Sequence, residues 1–228
     1  MKKGVFIVID GVDGSGKATQ TRLLIDALRA EGHAVETISF PQYGKKSAGM
    51  VEEYLSGVYG SAEDVGPYAT SIFYAIDRFD ASKKIAGWIA EGNIVIADRY
   101  VGSNMGHQGA KIAEPTAREK FFAWDLHLEH EIFGIPKPDL NLILHVSPQT
   151  SLALIQNREE HEGSKHHLKK DVHEADPTHL TRAEEAYRAM HAYDPTLFAL
   201  IECEQDGILL PPETIHHTIR EKLRSLIS

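Results

Sequence analysis

The sequence predicts an α/β protein in which a five-stranded parallel sheet carries helices on both faces. Three observations carry this expectation. Short apolar runs alternate with helical patterns along all 228 residues. Two of the runs, Ile94–Ala97 and Leu140–Leu144, read as strands buried on both faces. A glycine-rich stretch, Gly11–Lys17, joins the first apolar run to the first helical pattern.

In order, strands are expected at 4–10, 34–39, 93–98, 140–146 and 197–203, and helices at 17–31, 47–57, 67–91, 116–133, 149–158, 177–192 and 212–227. Gly32 closes the first helix in a left-handed cap, and Gly92-Asn93 turns the chain into the third strand. Asp176-Pro177 reads as an N-cap followed by proline at the first helical position, and Pro211-Pro212-Glu213 opens the last helix the same way. The segment Arg158–Lys170 is charged and nearly devoid of apolar residues, so it is expected as a mobile surface loop, a lid over about 158–171. No repeat, linker or boundary divides the chain, and residues 1–228 are expected to form one domain.

A net charge of −9 argues against a nucleic-acid-binding surface. The single Cys203 excludes an internal disulfide and suits a reducing, cytoplasmic setting. No apolar stretch reaches membrane-spanning length, and the N-terminal run is too short for a signal peptide. The thirteen histidines include no helical pattern that reads as a metal site.

Strand, glycine loop ending in Gly16-Lys17, then helix is the context of a P-loop. Glycines let successive N–H groups converge on phosphate oxygens, the helix adds its positive end, and Lys17 reaches the outer phosphates. Position 18 is Ala, so the hydroxyl that usually holds Mg²⁺ is missing. Thr19 lies about 100° further round the helix and does not replace it directly. Asp98, at the end of the third strand, is then the carboxylate expected to orient hydrated Mg²⁺.

Four further segments narrow the chemistry. Phe40-Pro-Gln-Tyr43 follows the second strand, where loops line the crevice of an open sheet. Tyr74 and Arg78 share a helix face and suit a nucleoside monophosphate, one by stacking and one by binding phosphate. Asp98-Arg99-Tyr100 ends the third strand. Ser103-Asn104 and His107-Gln108 form a polar, glycine-containing segment able to read a pyrimidine edge.

These pieces, with Asp171-Val-His-Glu174, resemble the thymidylate kinase family of P-loop nucleoside monophosphate kinases, in family order over nearly the whole chain. The resemblance implies the P-loop NTPase fold and an ATP- and Mg²⁺-dependent phosphorylation of dTMP to dTDP by a cytoplasmic homodimer. It implies that Gly11, Val12, Asp13, Gly14, Ser15, Gly16, Lys17, Ala18 and Thr19 surround the ATP phosphates. Asp13 would also contact the acceptor's 3′-hydroxyl, and Arg78 and Arg99 would bind its phosphate. Tyr74 would stack on the base, with Phe73 its rival if the helix register differs. Phe40, Tyr43, Ser103, Asn104 and Gln108 would complete the acceptor site. Arg158, and Lys165 or Lys169, would reach the transferring group. The chain departs from the family at Ala18, at Gln42 where many members have Arg, and at His107 where Tyr is frequent. Two other readings stand beside this one: a kinase for dUMP, UMP or a nucleoside, and a non-catalytic nucleotide-binding module.

Overall fold

The computed structural model describes residues 3–162 and 177–227. Five strands form one parallel sheet: β1 (Val5–Asp10), β2 (Val35–Ser39), β3 (Ile94–Asp98), β4 (Leu140–His145) and β5 (Phe198–Glu202), in the order β2-β3-β1-β4-β5. Register pairs Ile9 with Asp98 across β1 and β3, and Ile7 with Leu140 across β1 and β4. Phe6 to Asp10 are all buried, as a central strand covered on both faces requires.

The helices are α1 (Lys17–Ala30), α2 (Gly49–Leu55, entered through a 3₁₀ turn at Lys46–Ala48), α3 (Ala62–Ala90), α4 (Val101–Gly109), α5 (Pro115–Leu126), α6 (Pro148–Glu162), α7 (Pro177–Tyr193) and α8 (Pro212–Ile227). Gly32 takes φ 86° after α1, and the next amide, on His33, donates back to the Leu28 carbonyl at 3.0 Å. Gly92 closes α3 in the same way, with Asn93 N–H donating to the Trp88 carbonyl at 3.1 Å. Within α3, Gly66 leaves helical geometry at φ 74°, ψ 167°, and Pro67 restarts the helix, so the main rod begins where the proline predicts. The single turn before it is held by a capping box between Ser61 and Asp64.

Four expectations need correction. The segment containing Ser103, Asn104 and Gln108, where no helix was expected, is helix α4. Its glycines are contact points: a Cβ on Gly106 would lie 2.5 Å from the Tyr187 ring, and one on Gly102 would lie 2.4 Å from Asp10 Oδ2. Close packing overrides poor helix propensity here. The helix expected at 116–133 is α5 followed by a π-helical turn, His127–Ile132. α6 runs to Glu162, so the helical backbone covers the first residues assigned to the lid. A short hairpin, β6 (Glu204–Gln205) with β7 (Ile208–Leu209), was not expected. The side chain of Arg158, Lys165, Lys169, Asp171–Glu174 and the Asp176 cap lie outside the described residues. Among the described residues no helix is long and apolar enough to cross a membrane.

Candidate active site

Sheet order puts the loop after β1 beside the end of β3. Gly11 and Gly14 adopt φ 141° and 75°, and a Cβ on either would strike a backbone carbonyl, of Leu144 at 2.6 Å or of Ser151 at 2.5 Å. Only glycine allows both the turn and the close approach. α1 starts at Lys17, so its free N–H groups face the loop. The Lys17 ammonium donates to the Gly11 and Val12 carbonyls at 3.0 and 2.7 Å. Burial pushes the Lys17 pKa down to about 8, helped by Arg99 and opposed by Asp13.

Arg99 leaves the end of β3 with φ 69°, unusual for a non-glycine residue, and its N–H donates to the Ile9 carbonyl at 3.0 Å. Its guanidinium pairs with the Asp13 carboxylate. It also reaches the Gly11 carbonyl, Ser103 Oγ and His107 Nε2, each at 3.3 Å. Burial raises the Asp13 pKa, but Arg99 and Lys17 outweigh it and hold the carboxyl well below the usual range. Because Arg99 can only donate, His107 Nε2 is the acceptor. The other ring nitrogen of His107 lies 3.3 Å from His179 Nε2, with the two rings stacked. Beneath them Asp10 accepts from Ser103 Oγ at 2.6 Å, and its second oxygen is buried without a partner among the described residues. Burial raises the Asp10 pKa.

Asp98 Oδ1 and Ser15 Oγ are also buried without a hydrogen-bond partner among the described residues. An orphaned carboxylate oxygen at the end of β3, next to the loop, fits Mg²⁺ held through one carboxylate, water and substrate phosphates. Among the described residues no group of three or more His, Cys, Asp or Glu could form a protein-only metal cage. Ala18 and Thr19 are exposed on α1.

Arg78 forms a buried ion pair that the sequence did not indicate. Both Nε and Nη2 are taken by Glu129, at 2.6 and 2.5 Å, and Nη1 points to the Tyr100 carbonyl at 3.4 Å. Arg78 and Glu129 are buried. Arg78 is therefore one half of an internal ion pair between α3 and the π turn, and Arg99 and Lys17 are cations at the crevice among the described residues. Asp77 does not pair with its neighbour; it accepts from Gln42 N at 2.7 Å, Gln42 Nε2 at 3.1 Å and Ser47 Oγ at 2.6 Å. Gln42 thus ties the loop after β2 to α3. Its Oε1 accepts from Lys45 Nζ at 2.5 Å.

Phe40 is buried, its ring 5.6 Å from that of Tyr100, so it meets the crevice as part of the core. Tyr43 is 55% exposed. Phe73 packs on Tyr59 and Tyr54, at 5.6 and 6.4 Å between rings, and Tyr74 packs against the same small cluster of Val51, Tyr54 and Leu55. Asn104 Nδ2 donates to both oxygens of Asp125, at 3.0 and 3.2 Å. Asn104 Oδ1 and Gln108 Oε1 are buried without partners among the described residues. Asp125, Glu129, His179 and Ser151 (which donates to the Asp13 carbonyl) escaped the sequence reading. The one available signal was the four-residue spacing of Asp125 and Glu129, which sets the two carboxylates on one helix face.

Fold and site together define the class: a P-loop nucleotide-binding protein with a second cationic subsite at the end of the adjacent strand. A family model described as thymidylate kinase matches residues 9–200. The chain is 38% identical to a Mycobacterium tuberculosis thymidylate kinase over 146 residues, 64% of this chain and 67% of that one. Human thymidylate kinase is 30% identical over 145 residues, 64% of this chain and 62% of the human one, and a Bifidobacterium longum thymidylate kinase is 28% identical over 204 residues, 89% and 91% of the two chains. The solved structure of a Candida albicans thymidylate kinase superposes with a TM-score of 0.70 at 20% identity, covering 98% of this chain and 92% of that one, a likeness of fold. The chain belongs to the thymidylate kinase family.

Proposed function

We propose that the protein transfers the γ-phosphoryl group of ATP to the phosphate of dTMP, giving dTDP and ADP. The observation that carries this reading is the Asp13–Arg99 pair, which joins the P-loop to the end of β3. It sets a second anion site one strand away from Lys17. A module that only bound a nucleoside triphosphate would need the first site alone. The bond between the γ-phosphorus and its bridging oxygen breaks, and a bond to an acceptor phosphate oxygen forms. The acceptor oxygen is already anionic near neutral pH, so no general base is needed. Lys17 and the loop amides neutralise the donor phosphates, and Arg99 positions the acceptor. Asp98 would hold Mg²⁺, which when bound would supply further neutralisation of phosphate charge. Asp13 leaves Arg99 as phosphate arrives and becomes free to accept from the acceptor's 3′-hydroxyl. Tyr74, on the same face of α3 as Ser71, serves as the stacking platform, with Asn104 and Gln108 at the base edge.

Arg78 is paired with Glu129, so the argument for a phosphorylated acceptor rests on Arg99. The test is ADP release with Mg²⁺, ATP and each of dTMP, dUMP, UMP, dCMP and thymidine. A strong preference for dTMP is expected. ADP release with thymidine, or with no acceptor dependence, would overturn the assignment. Arg99→Met should lower kcat/KM for dTMP by about 100-fold or more.

The same reading includes a homodimer of single-domain subunits. Tyr68, Ile72, Ile76 and Phe79 are exposed at helical spacing on α3, with Ile132 of the π turn also exposed. Such a contiguous apolar stripe marks an association surface. A cytoplasmic setting is consistent with the lone, buried Cys203.

A further inference from the structure

Asn104 lies between α3 and α5. Its Nδ2 donates to both carboxyl oxygens of Asp125 and approaches the Ser71 carbonyl at 3.5 Å. Ser71 shares a face of α3 with Tyr74 and Arg78, at helical spacing. The polar partners of this amide, the Glu129 carboxylate among them, crowd its nitrogen end, while Oδ1 is buried and has no partner among the described residues. A flipped amide would set oxygen against the oxygens of Asp125 and Ser71, so the chemistry of the neighbours decides the orientation. Burial and Glu129 raise the Asp125 pKa; a protonated Asp125 still offers a carbonyl oxygen to Nδ2, and the Ser71 carbonyl and Glu129 still oppose a turned amide. A buried acceptor without a donor is costly, and the group that relieves it must bring an N–H.

We propose that Asp125 is a positioning residue for base choice: it locks the Asn104 amide with only its oxygen available, so the site takes a pyrimidine that carries a hydrogen on N3. This rests on the acceptor reading above and deepens it. Thymine and uracil bring N3–H. Cytosine brings a lone pair at N3, which would face Oδ1 oxygen to nitrogen with no hydrogen between them. Removing Asp125 takes away the closest acceptors that hold Nδ2 and weakens the bias against a turned amide, which would present Nδ2, a donor, to that lone pair.

The probe pair is dTMP and 5-methyl-dCMP, which differ only at positions 3 and 4 of the ring. Relative kcat/KM is measured for the wild type, Asp125→Asn, Asp125→Leu, Asn104→Ala and the double variant Asp125→Asn/Asn104→Ala, with thermal melting to confirm folding. The wild type is expected to prefer dTMP by about 100-fold or more. In Asp125→Asn, whose amide can turn either end to Asn104, that ratio should fall about tenfold, with KM for dTMP rising more than kcat falls. The Asp125 change should add nothing once Asn104 is gone. An unchanged ratio in folded Asp125→Asn overturns the proposal. So does an equal loss for both nucleotides, or a full effect in the Asn104→Ala background. If Asp125→Leu does not fold, the nearly isosteric Asp125→Asn still decides. Failure of the wild type to phosphorylate dTMP would strike the acceptor reading instead. Calorimetric binding of the two nucleotides to wild type and Asp125→Asn would then still test Asp125.

Discussion

Lys17 in the free protein rests its ammonium on two loop carbonyls, with its pKa pushed down to about 8 by burial. Polyphosphate would restore the charge, so ATP binding near pH 8.5 should take up a fraction of a proton that it does not take up near pH 6.5. Calorimetry in buffers of different ionisation enthalpy measures this, and buffer-independent heats at pH 8.5 would exclude it. The stability sign follows from the same shift. The folded site releases this proton at about pH 8 and the unfolded chain at its ordinary 10.5, so the group's contribution to stability rises with pH across that window. Arg78 behaves differently because its partner is fixed. Glu129→Ala would leave a buried guanidinium unpaired and should cost about 3–5 kcal/mol in urea unfolding. A loss below about 1 kcal/mol would mean that water reaches Arg78. The role of Arg78 was not legible in the sequence: nothing local says that position 78 meets position 129. Lys17, Asp98 and Arg99 were legible, because a strand end and a glycine loop fix their placement without help from distant residues.

At the level of elements, the five strands fall within one or two residues of their expected bounds. Runs buried on both faces leave no register choice, and Gly32 and Gly92 set two turns by left-handed geometry. α4 was missed for the opposite reason. Gly102, Gly106 and Gly109 lower its intrinsic helicity, and the helix exists because α7 and α5 press close to those bare positions. Gly106→Ala tests this. Its methyl would enter the Tyr187 ring, so about 1–3 kcal/mol should be lost. The Tyr187 hydroxyl's hydrogen bond to Ser103, at 3.3 Å, should be disturbed as well. Unchanged melting with unchanged dTMP kinetics would show that α7 yields without cost. The π turn after α5 belongs to the same lesson. The sequence indicates a helix there, while the widened turn that carries Glu129 depends on the chain it packs against.

For the whole molecule, the exposed stripe on α3 makes association the expected state. Light scattering should give twice the mass of the 25.3 kDa chain, and Ile76→Glu, which sets a charge within the stripe, should give the monomer. A monomeric wild type at micromolar concentration would refute the dimer. The pairing of Ile9 with Asp98 has a last consequence. The backbone departs toward the donor loop from one central strand and toward Arg99 from its immediate neighbour, and neighbouring strands lie about 4.8 Å apart. The gap that the phosphoryl group must cross is thus referenced to the hydrogen-bond ladder of the sheet, the stiffest ruler the protein has. Side-chain substitutions can change what waits on either bank, but only a shift of the strands themselves would move the banks apart.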